Sequence, residues 1–415
     1  MKSNFEIAVF EGDGIGPEIM APTVRLLEGL AQAGGYNLRF VPCPAGAAHY
    51  ALTGDSLPAA SLEAAGAADA ILLSAMGLPD VRYPDGTEIS PQIDLRKRFD
   101  LFAGVRPVRI TPGTPTPLRL EGGQTVDFVL IRESTEGLFH TQGTGHVTQY
   151  YAEETLRITR ATSEKLMRFA ARLATTRKAA GHAGHVTCVD KANVFRAFAF
   201  FREIFDAEMA QHPDLGADHA YVDATALWMV DRPWIFDVMV TENMFGDILS
   251  DLGAGLMGGL GLAPSADIGE QHAVFQPCHG SAPDIAGQGV ANPFAMILSA
   301  AMMLDWLADT HDAPALRADG ARLRAAVDAV VAEGRNVTRD LGGTCGTEAA
   351  ADAVAAALLP CALHVWVRGI SHNTTTRHGP TWRAAHWSAS PIRTPPVRKP
   401  MPTPTARRVS PIWPP

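Results

Sequence analysis

Two aspartates four residues apart carry the clearest chemical signal in this sequence. They are Asp247 and Asp251, in the segment TENMFGDILSDLG that begins at residue 241. If the segment is helical, both carboxylates lie on one face, about 5 to 6 Å apart. Paired carboxylates suit Mg²⁺ or Mn²⁺ better than Zn²⁺. A solvated acidic stripe is the alternative, since aspartates are usually exposed, but other segments also indicate a ligand site.

Three arginines lie in apolar surroundings. Arg96 and Arg106 belong to DLRKRFDLFAGVRP, and Arg132 follows the apolar run VLI. Guanidinium forks match carboxylates, and ligands of open α/β sheets bind beyond the carboxyl ends of strands, where Arg132 falls. Each arginine taken alone is more often a surface or ion-paired residue. Together the three suit a substrate that bears two carboxylates.

Lys191 and Asp223 are candidates for proton transfer and metal binding. Lys191, in CVDKANV, follows a strand-like run and precedes a helical pattern. A lysine that is crowded by a metal cation and partly desolvated becomes a usable general acid or base. Asp223, in HAYVDATALWMV, has apolar neighbours on both sides. Because a buried acid is usually paired, it is a candidate third metal carboxylate.

The glycine-rich segment EGDGIGPE at 11–18 predicts a tight turn near a ligand. It follows a strand-like run, and Pro17 is placed to begin a helix. The Rossmann pattern G-x-G-x-x-G would require glycine where Pro17 stands. The usual dinucleotide fingerprint is therefore absent.

A second glycine-rich segment, FQPCHGSAPDIAGQGVANP at 275–293, offers hydrogen-bonding groups for a ligand. They are His279, Asp284 and Asn292. An acid in an adenosine pocket accepts hydrogen bonds from the ribose hydroxyls and repels a 2′-phosphate, so Asp284 favours NAD over NADP. An ordinary turn-rich connection is the alternative.

Alternating apolar runs and helical periodicities predict an α/β fold that positions these residues. The predicted strands are 7–10, 70–76, 126–134, 185–190 and 236–241. The predicted helices are 18–34, 153–177 and 194–205. The polar segment 140–151 predicts an excursion from the domain body, and the proline-rich segment 111–118 predicts a loop.

Bulk properties predict a soluble protein of two packed domains. The chain has 415 residues, 47% hydrophobic and 19% charged, which is enough for substantial cores. No secretory leader or run of eighteen apolar residues is evident. Five scattered cysteines form no metal or disulfide pattern. We expect a cytoplasmic location and no membrane partner.

The last 55 residues differ from the rest in composition. Residues 361–415 contain eight Arg or Lys, no acid, ten of the thirty prolines and four of the seven tryptophans. A segment without periodicity cannot form an ordinary core, so we predict a disordered tail. The net charge of −9 hides an acidic body of −17 over the first 360 residues, which argues against nucleic acid as the main partner.

Together these motifs resemble the β-decarboxylating dehydrogenases of the isopropylmalate, isocitrate and tartrate group, from residue 6 to about 358. The motifs, in family order, are EGDGIGPE, DLRKRFDLFAGVRP, IREST, VDKANV, YVDA, NMFGDILSDL, HGSAPDIAGQGVANP and GTCGTEA. The resemblance implies the family's two-domain, non-Rossmann α/β fold. It implies a cofactor-binding domain from 1–101 and 258–360, and a domain 102–257 with the substrate and metal site, the dimer interface and an intersubunit arm near 140–151.

The resemblance also implies roles for individual residues. Arg96, Arg106 and Arg132 would bind the carboxylates of a 2-hydroxy diacid, and Asp247 and Asp251 would hold Mg²⁺ or Mn²⁺. Lys191 and Asp223 would act in catalysis from the neighbouring subunit of a homodimer, Asp223 also as a metal ligand. The NAD adenosine would be held by His279, Gly280, Ser281, Ala282, Asp284, Ile285 and Asn292.

Two positions depart from the family pattern. The family places tyrosine, the acid that protonates the enol, seven residues after the arginine at Arg132, whereas this chain has Phe139. Water, His140 or Lys191 would have to substitute, or the reaction would stop at the keto acid. Gln92-Ile93 replaces a leucine pair that meets an isopropyl group, and an unpaired amide is costly against an alkyl substituent.

We therefore expect NAD- and metal-dependent oxidation of a 2-hydroxy diacid, followed by decarboxylation, in the manner of 3-isopropylmalate dehydrogenase. A tartrate or D-malate dehydrogenase is the alternative suggested by Gln92, and a catalytically silent regulatory paralogue is the alternative suggested by Phe139. Nucleic-acid binding through the basic tail is a third hypothesis.

Overall fold

Ten of the twelve strands in the described part of the chain form one sheet, and helices cover it. The structure, a computed structural model, describes residues 2–358. The strands are β1 (Asn4–Phe10), β2 (Asn37–Pro42), β3 (Ala70–Leu73), β4 (Ala103–Arg109), β5 (Asp127–Glu133), β6 (His146–Val147), β7 (Ala152–Glu153), β8 (His185–Asp190), β9 (Gly216–Tyr221), β10 (Val238–Thr241), β11 (Pro264–Ile268) and β12 (Ala273–Pro277).

Eleven α-helices lie in the same part of the chain. They are α1 (Gly16–Gly34), α2 (Ala47–Thr53), α3 (Ala59–Ala67), α4 (Pro91–Arg98), α5 (Arg160–Ala179), α6 (Arg196–Met209), α7 (Val222–Asp231), α8 (Asn243–Leu256), α9 (Phe294–His311), α10 (Pro314–Glu333) and α11 (Thr347–Leu358). The predicted α/β class is confirmed. The predicted tail at 361–415 lies outside the described residues.

The sheet has the order β2-β1-β3-β12-β11-β4-β5-β10-β8-β9. β1 pairs in parallel with β2 and β3, and β12 with β3. At the other end, β5, β10, β8 and β9 also pair in parallel. In the centre, β11 is antiparallel to β12 and β4, and β4 is antiparallel to β5. These central strands join segments far apart in the sequence; the division into two domains stays a prediction.

Helix packing fixes the centre of the sheet. Helix α9 is apolar on nearly all sides and is buried against β11, β12 and α10, as expected for a helix without a polar face. Helix α8 packs on β5 and β4. This packing brings the two aspartates of the first motif to the end of β5 that carries Arg132.

One helix begins later than the sequence predicts. The helix predicted over 153–177 begins at Arg160. Thr159 has extended backbone, and its side chain accepts a hydrogen bond from the Thr162 amide, the usual geometry of an N-cap. Glu136 accepts hydrogen bonds from the Thr159 amide and hydroxyl at 2.7 and 2.8 Å. These long-range bonds end the preceding loop, and periodicity alone does not reveal them.

A small hairpin lies where the sequence predicts an excursion. Strands β6 and β7 pair only with each other, in antiparallel register, and do not join the large sheet. Val147 and Tyr150 are largely exposed. A β-prone hairpin whose large side chains are not covered by residues 2–358 suits contact with another molecule. The role of this segment as an intersubunit arm stays a prediction.

Candidate active site

The three predicted substrate arginines lie together and are buried. Arg96 comes from α4, Arg106 from β4 and Arg132 from the end of β5. Arg106 also donates to the carbonyls of Val105 and Ala266 at 3.2 and 3.1 Å. Burying several guanidiniums is costly unless each is paired. The arrangement therefore requires negative charge nearby.

A buried acid, Asp267 on β11, supplies part of that charge. Its carboxylate accepts hydrogen bonds from Arg96 Nε at 2.9 Å and from Arg106 Nη2 at 3.2 Å. Burial raises its pKa, but the three arginines outweigh burial and hold the pKa below its usual range. This residue was not predicted from the sequence. The only signal was an acid inside the otherwise apolar and small-residue strand PSADI.

Arg132 joins the arginine cluster to the predicted metal site. Its Nη1 contacts the Asp247 carboxylate, and its Nε and Nη2 donate to Asn243 Oδ1 at 3.2 and 2.7 Å. Burial and the neighbouring Arg96 lower the pKa of Arg132 to about 10. Gly246 makes this approach possible, because a Cβ there would lie 2.6 Å from Arg132 Cβ. The close packing of α8 on β5 depends on that glycine.

The two aspartates lie one turn apart on α8, as predicted. The side chain of Asp247 is 63% exposed. Burial, together with the neighbouring Asp247 carboxylate, raises the pKa of Asp251. Within residues 2–358, no group of three or more His, Cys, Asp and Glu converges on one point suitable for a metal ion. The third carboxylate expected for a metal site is thus not adjacent to the pair in the described part of one chain.

Lys191 and Asp223 form an ion pair of their own. Lys191 follows β8 directly, and Asp223 lies in the first turn of α7. The Lys191 ammonium contacts the Asp223 carboxylate, whose side chain is 69% exposed. The hydrogen bond from Lys191 lowers the pKa of Asp223. The two predicted catalytic residues are therefore paired with each other, with Asp223 exposed and the Lys191 side chain only 24% exposed.

The predicted nucleotide loop borders an open cleft with a volume of about 220 Å³. The lining residues are Ile15, Gly261, His279, Ile285, Val290, Ala291, Asn292, Arg339 and Asp340. The glycine-rich turn at 11–18 packs on this loop, since the Ile15 amide donates to the Ser281 carbonyl at 2.8 Å. The turn thus borders a potential ligand cleft. Arg339 and Asp340 were not predicted.

His279 has a buried nitrogen without a partner. Its Nδ1 lies 2.9 Å from the Gly280 carbonyl, so Nδ1 carries the proton, and Nε2 is buried with no hydrogen bond from the described residues. Burial lowers the pKa of this imidazole. Asn292 donates to Asp340 at 2.9 Å and accepts from the Phe294 amide, which fixes the wall of the cleft. Asp284 is exposed and directly precedes the lining residue Ile285.

Comparison with known proteins decides the family. A family model described as isocitrate/isopropylmalate dehydrogenase matches residues 6–354. The chain belongs to this family. A 3-isopropylmalate/3-methylmalate dehydrogenase of Methanocaldococcus jannaschii is 40% identical over 84% of this chain and 98% of its own. A 3-isopropylmalate dehydrogenase of Anaeromyxobacter dehalogenans is 40% identical over 85% and 98%.

Solved structures agree with the assignment. An isocitrate dehydrogenase from Methylococcus capsulatus matches with a TM-score of 0.74 and 37% identity, over 85% of this chain and 99% of that chain. The predicted family and its α/β fold are confirmed, and the chain is an oxidoreductase acting on CH–OH groups. Along residues 2–358, the helices are too short or too polar for a membrane span.

Phe139, at the position where members of this dehydrogenase family were expected to have tyrosine, lies in a short 3₁₀ helix, Leu138–Thr141. The Lys97 ammonium lies 6.0 Å from the centre of its ring and donates to Gln142 Oε1 at 2.7 Å. His140 is exposed. Lys97 is a proton-bearing group near this ring that the sequence analysis did not consider.

Proposed function

We propose that this dehydrogenase oxidises a 2-hydroxy dicarboxylic acid with NAD and a divalent metal ion, and that it decarboxylates the product. The observation that carries the proposal is the cluster of three buried guanidiniums next to the α8 aspartates. Such forks are the preferred partners of carboxylates. Arg96, Arg106 and Arg132 would hold the two carboxylates and orient the hydroxyl-bearing carbon.

Asp247 and Asp251 would hold Mg²⁺ or Mn²⁺, with Asp223 from a second copy of the chain. The raised pKa of Asp251 supports this assignment, because a cation would relieve the repulsion between the two carboxylates. When bound, the ion would act as a Lewis acid toward the hydroxyl and then the ketone oxygen. Arg132 would pass from Asp247 to the substrate carboxylate.

Lys191 would remove the hydroxyl proton from the side of the second copy. Asp223, itself a proposed metal ligand, contacts the Lys191 ammonium and so would keep Lys191 beside the metal ion. A positioned amine of this kind serves as a general base when partly desolvated. The hydride on the same carbon would pass to NAD, which accepts it at the nicotinamide ring.

The cleft at the 279–292 loop suits the adenosine part of NAD. The unpartnered His279 Nε2 is an acceptor that an exocyclic amino group could satisfy. Asp284, exposed next to the lining residue Ile285, would accept hydrogen bonds from the ribose hydroxyls and disfavour a 2′-phosphate. We therefore propose NAD as the cofactor.

A second copy of the chain is proposed because the site residues fall into two sets. Lys191 and Asp223 are paired with each other. Within residues 2–358, Asp223 does not form a group of three acids with the α8 aspartates. Large apolar side chains are exposed on α7, the helix of Asp223, and on α8, the helix of the aspartate pair. They are Leu227 and Val230 on α7, and Met244 and Ile248 on α8. Apolar stripes at helical spacing suit helix packing between identical subunits.

Decarboxylation requires a proton for the enol that remains after CO₂ leaves. Phe139 cannot donate one. Water, His140 and Lys191 remain candidate donors, and Lys97 joins them because its ammonium lies over the Phe139 ring. A missing positioned acid typically slows a step by about 10²- to 10⁴-fold, so a slow decarboxylation is part of the proposal.

A second candidate is a dehydrogenase of the tartrate or D-malate type. Gln92 lies one turn before Arg96 on α4, and its Oε1 is buried without a hydrogen bond from the described residues. An unpaired buried amide oxygen costs about 1 to 3 kcal/mol. A hydroxyl on the substrate would satisfy this oxygen, whereas an isopropyl group would not.

The test is to measure NADH formation and CO₂ release together, with Mn²⁺ present, on 3-isopropylmalate, tartrate, D-malate and isocitrate. Equal NADH and CO₂ with one of the diacids would support the full proposal. NADH without CO₂ would remove the decarboxylation step. Preference for tartrate or D-malate over 3-isopropylmalate would support the second candidate, and neither product with any acid would contradict both.

A further inference from the structure

The Asp267 carboxylate accepts more hydrogen bonds than those from the arginine cluster. Besides Arg96 and Arg106, its carboxylate accepts from Gln276 Nε2 at 2.9 Å, and the Ser134 hydroxyl lies 3.5 Å away. Its side chain is only 1% exposed. A carboxylate held this firmly can fix the positions of the guanidiniums that it touches.

The neighbouring strand leaves room for this carboxylate. Gly104 on β4 pairs directly with Asp267. A Cβ at Gly104 would lie 3.2 Å from Asp267 Oδ1 and 2.5 Å from Ser134 Oγ. On the other side, Gly104 pairs with Arg132. Asp267, Gly104 and Arg132 therefore lie in one row on the same face of the sheet.

The bonds to Asp267 leave substrate-binding donors free. Arg96 uses only Nε toward Asp267, so both of its terminal nitrogens make no side-chain hydrogen bond within residues 2–358. Arg106 uses its terminal nitrogens and keeps Nε. Asp267 thus orients the Arg96 and Arg106 side chains without occupying all of their hydrogen-bond donors.

Charge complementarity follows from the composition of the cluster. Three guanidiniums and the ionised Asp267 carry a net charge of +2, which matches two substrate carboxylates. In the proposed function, the divalent ion, its three carboxylates, Lys191 as the neutral base and the positively charged nicotinamide ring of NAD together add no net charge. A third carboxylate on the substrate would therefore lack a counter-charge, and an unpaired charge in a partly buried site is strongly disfavoured.

We propose that Asp267 is a positioning residue that selects dianionic over trianionic 2-hydroxy acids. It fixes the positions of the Arg96 and Arg106 side chains. It also lowers the charge of the cluster to +2, which balances the two negative charges of a dicarboxylate. This inference rests on the proposed function and names its substrate class.

The test is to compare the wild type with Asp267→Asn, using NAD and Mn²⁺. kcat and KM are measured for isocitrate and for the dicarboxylate that the wild type oxidises fastest. We expect the ratio of the two kcat/KM values to move toward isocitrate by roughly tenfold or more, mainly through KM. Asp328→Asn is the matched control, because it breaks an Arg109–Asp328 pair of 2.7 Å outside the cluster and leaves the ratio unchanged.

The possible outcomes distinguish failure of the Asp267 inference from failure of the proposed function. If both substrates lose kcat/KM equally in Asp267→Asn, the residue is only structural and the inference is wrong. A wild type that prefers isocitrate to every dicarboxylate would also overturn it and the dicarboxylate substrate class, while NAD- and metal-dependent oxidation of a hydroxy acid would stand. If Asp267→Asn does not fold by circular dichroism, Asp267→Ser removes the same charge with a smaller side chain.

A binding measurement covers the case in which no hydroxy acid is oxidised, which would contradict the proposed function. Thermal shifts of the Mn²⁺-loaded wild type and variant are recorded with succinate and with tricarballylate. We expect succinate to stabilise the wild type more, and the preference to move toward tricarballylate in the variant. Equal shifts in both proteins would overturn the inference.

Discussion

At the scale of single residues, Asp251 connects stability to metal binding. Its pKa is raised by burial and by Asp247, so its ionised form is less favourable in the folded than in the unfolded protein. This destabilisation is present at neutral pH and disappears as the pH falls through the raised pKa. A metal ion bound between the carboxylates would remove it at neutral pH.

We therefore expect Asp251→Asn to stabilise the metal-free protein slightly and to abolish its stabilisation by Mn²⁺. The gain is about 0.5 kcal/mol, kept small because Asp251 is only partly buried and solvent screens its charge, or roughly 1 °C in Tm. Differential scanning fluorimetry at neutral pH, with and without Mn²⁺, measures both effects. Asp352→Asn on α11 is the control, an exposed change outside the site. A variant that Mn²⁺ still stabilises as it does the wild type would contradict the assignment.

Phe139 provides a second test at this scale. We expect Phe139→Tyr to raise the ratio of CO₂ released to NADH formed, because a phenol adds a positioned acid of the kind worth about 10²- to 10⁴-fold. The ring already lies near the Lys97 ammonium, so the change adds one oxygen to an existing packing arrangement. Both products are measured in one assay. Phe139→Leu is the control that alters the ring without adding an acid, and an equal response in the two variants would exclude proton donation as the cause.

At the scale of elements, the sequence predicts the parts of the site that depend on local patterns. Arg132 at the end of a strand, the aspartate pair on a helix and the turn at 11–18 all follow from periodicity and turn residues. Asp267 does not, because its role arises only when β11 inserts between β12 and β4. That pairing joins residues about 160 positions apart. Local pattern contains no information on such contacts.

The exposed apolar stripe of helices α7 and α8 leads to a prediction about assembly. We expect Ile248→Glu to weaken the proposed dimer and its activity together, because Ile248 is 64% exposed and its change leaves the core of one chain intact. Light scattering coupled to gel filtration reports the mass, and NADH formation reports the activity. Leu52→Glu is the control, since Leu52 is 86% exposed on α2, away from that stripe. A fully active dimer of Ile248→Glu would contradict this interface.

At the scale of the whole molecule, the separation of the site residues into two sets predicts complementation between two inactive variants. Lys191 with Asp223 forms one set, and Asp247 with the arginines forms the other. If each active site takes one set from each copy, Lys191→Met and Asp247→Asn are both inactive alone. A mixed dimer of the two variants contains one site with both sets intact and one site with both defects.

Co-refolding equal amounts of Lys191→Met and Asp247→Asn should therefore restore on the order of a quarter of wild-type activity. Half of the random dimers are mixed, and each of them has one of two sites intact. The measurement is NADH formation before and after co-refolding. Lys191→Met mixed with Asp223→Asn is the matched control: both residues belong to the same set, so every mixed dimer has one defect in each site and stays inactive. No recovery in the test pair would show that each chain builds its site alone, whereas recovery in the control would show that Lys191 and Asp223 enter one site from different chains.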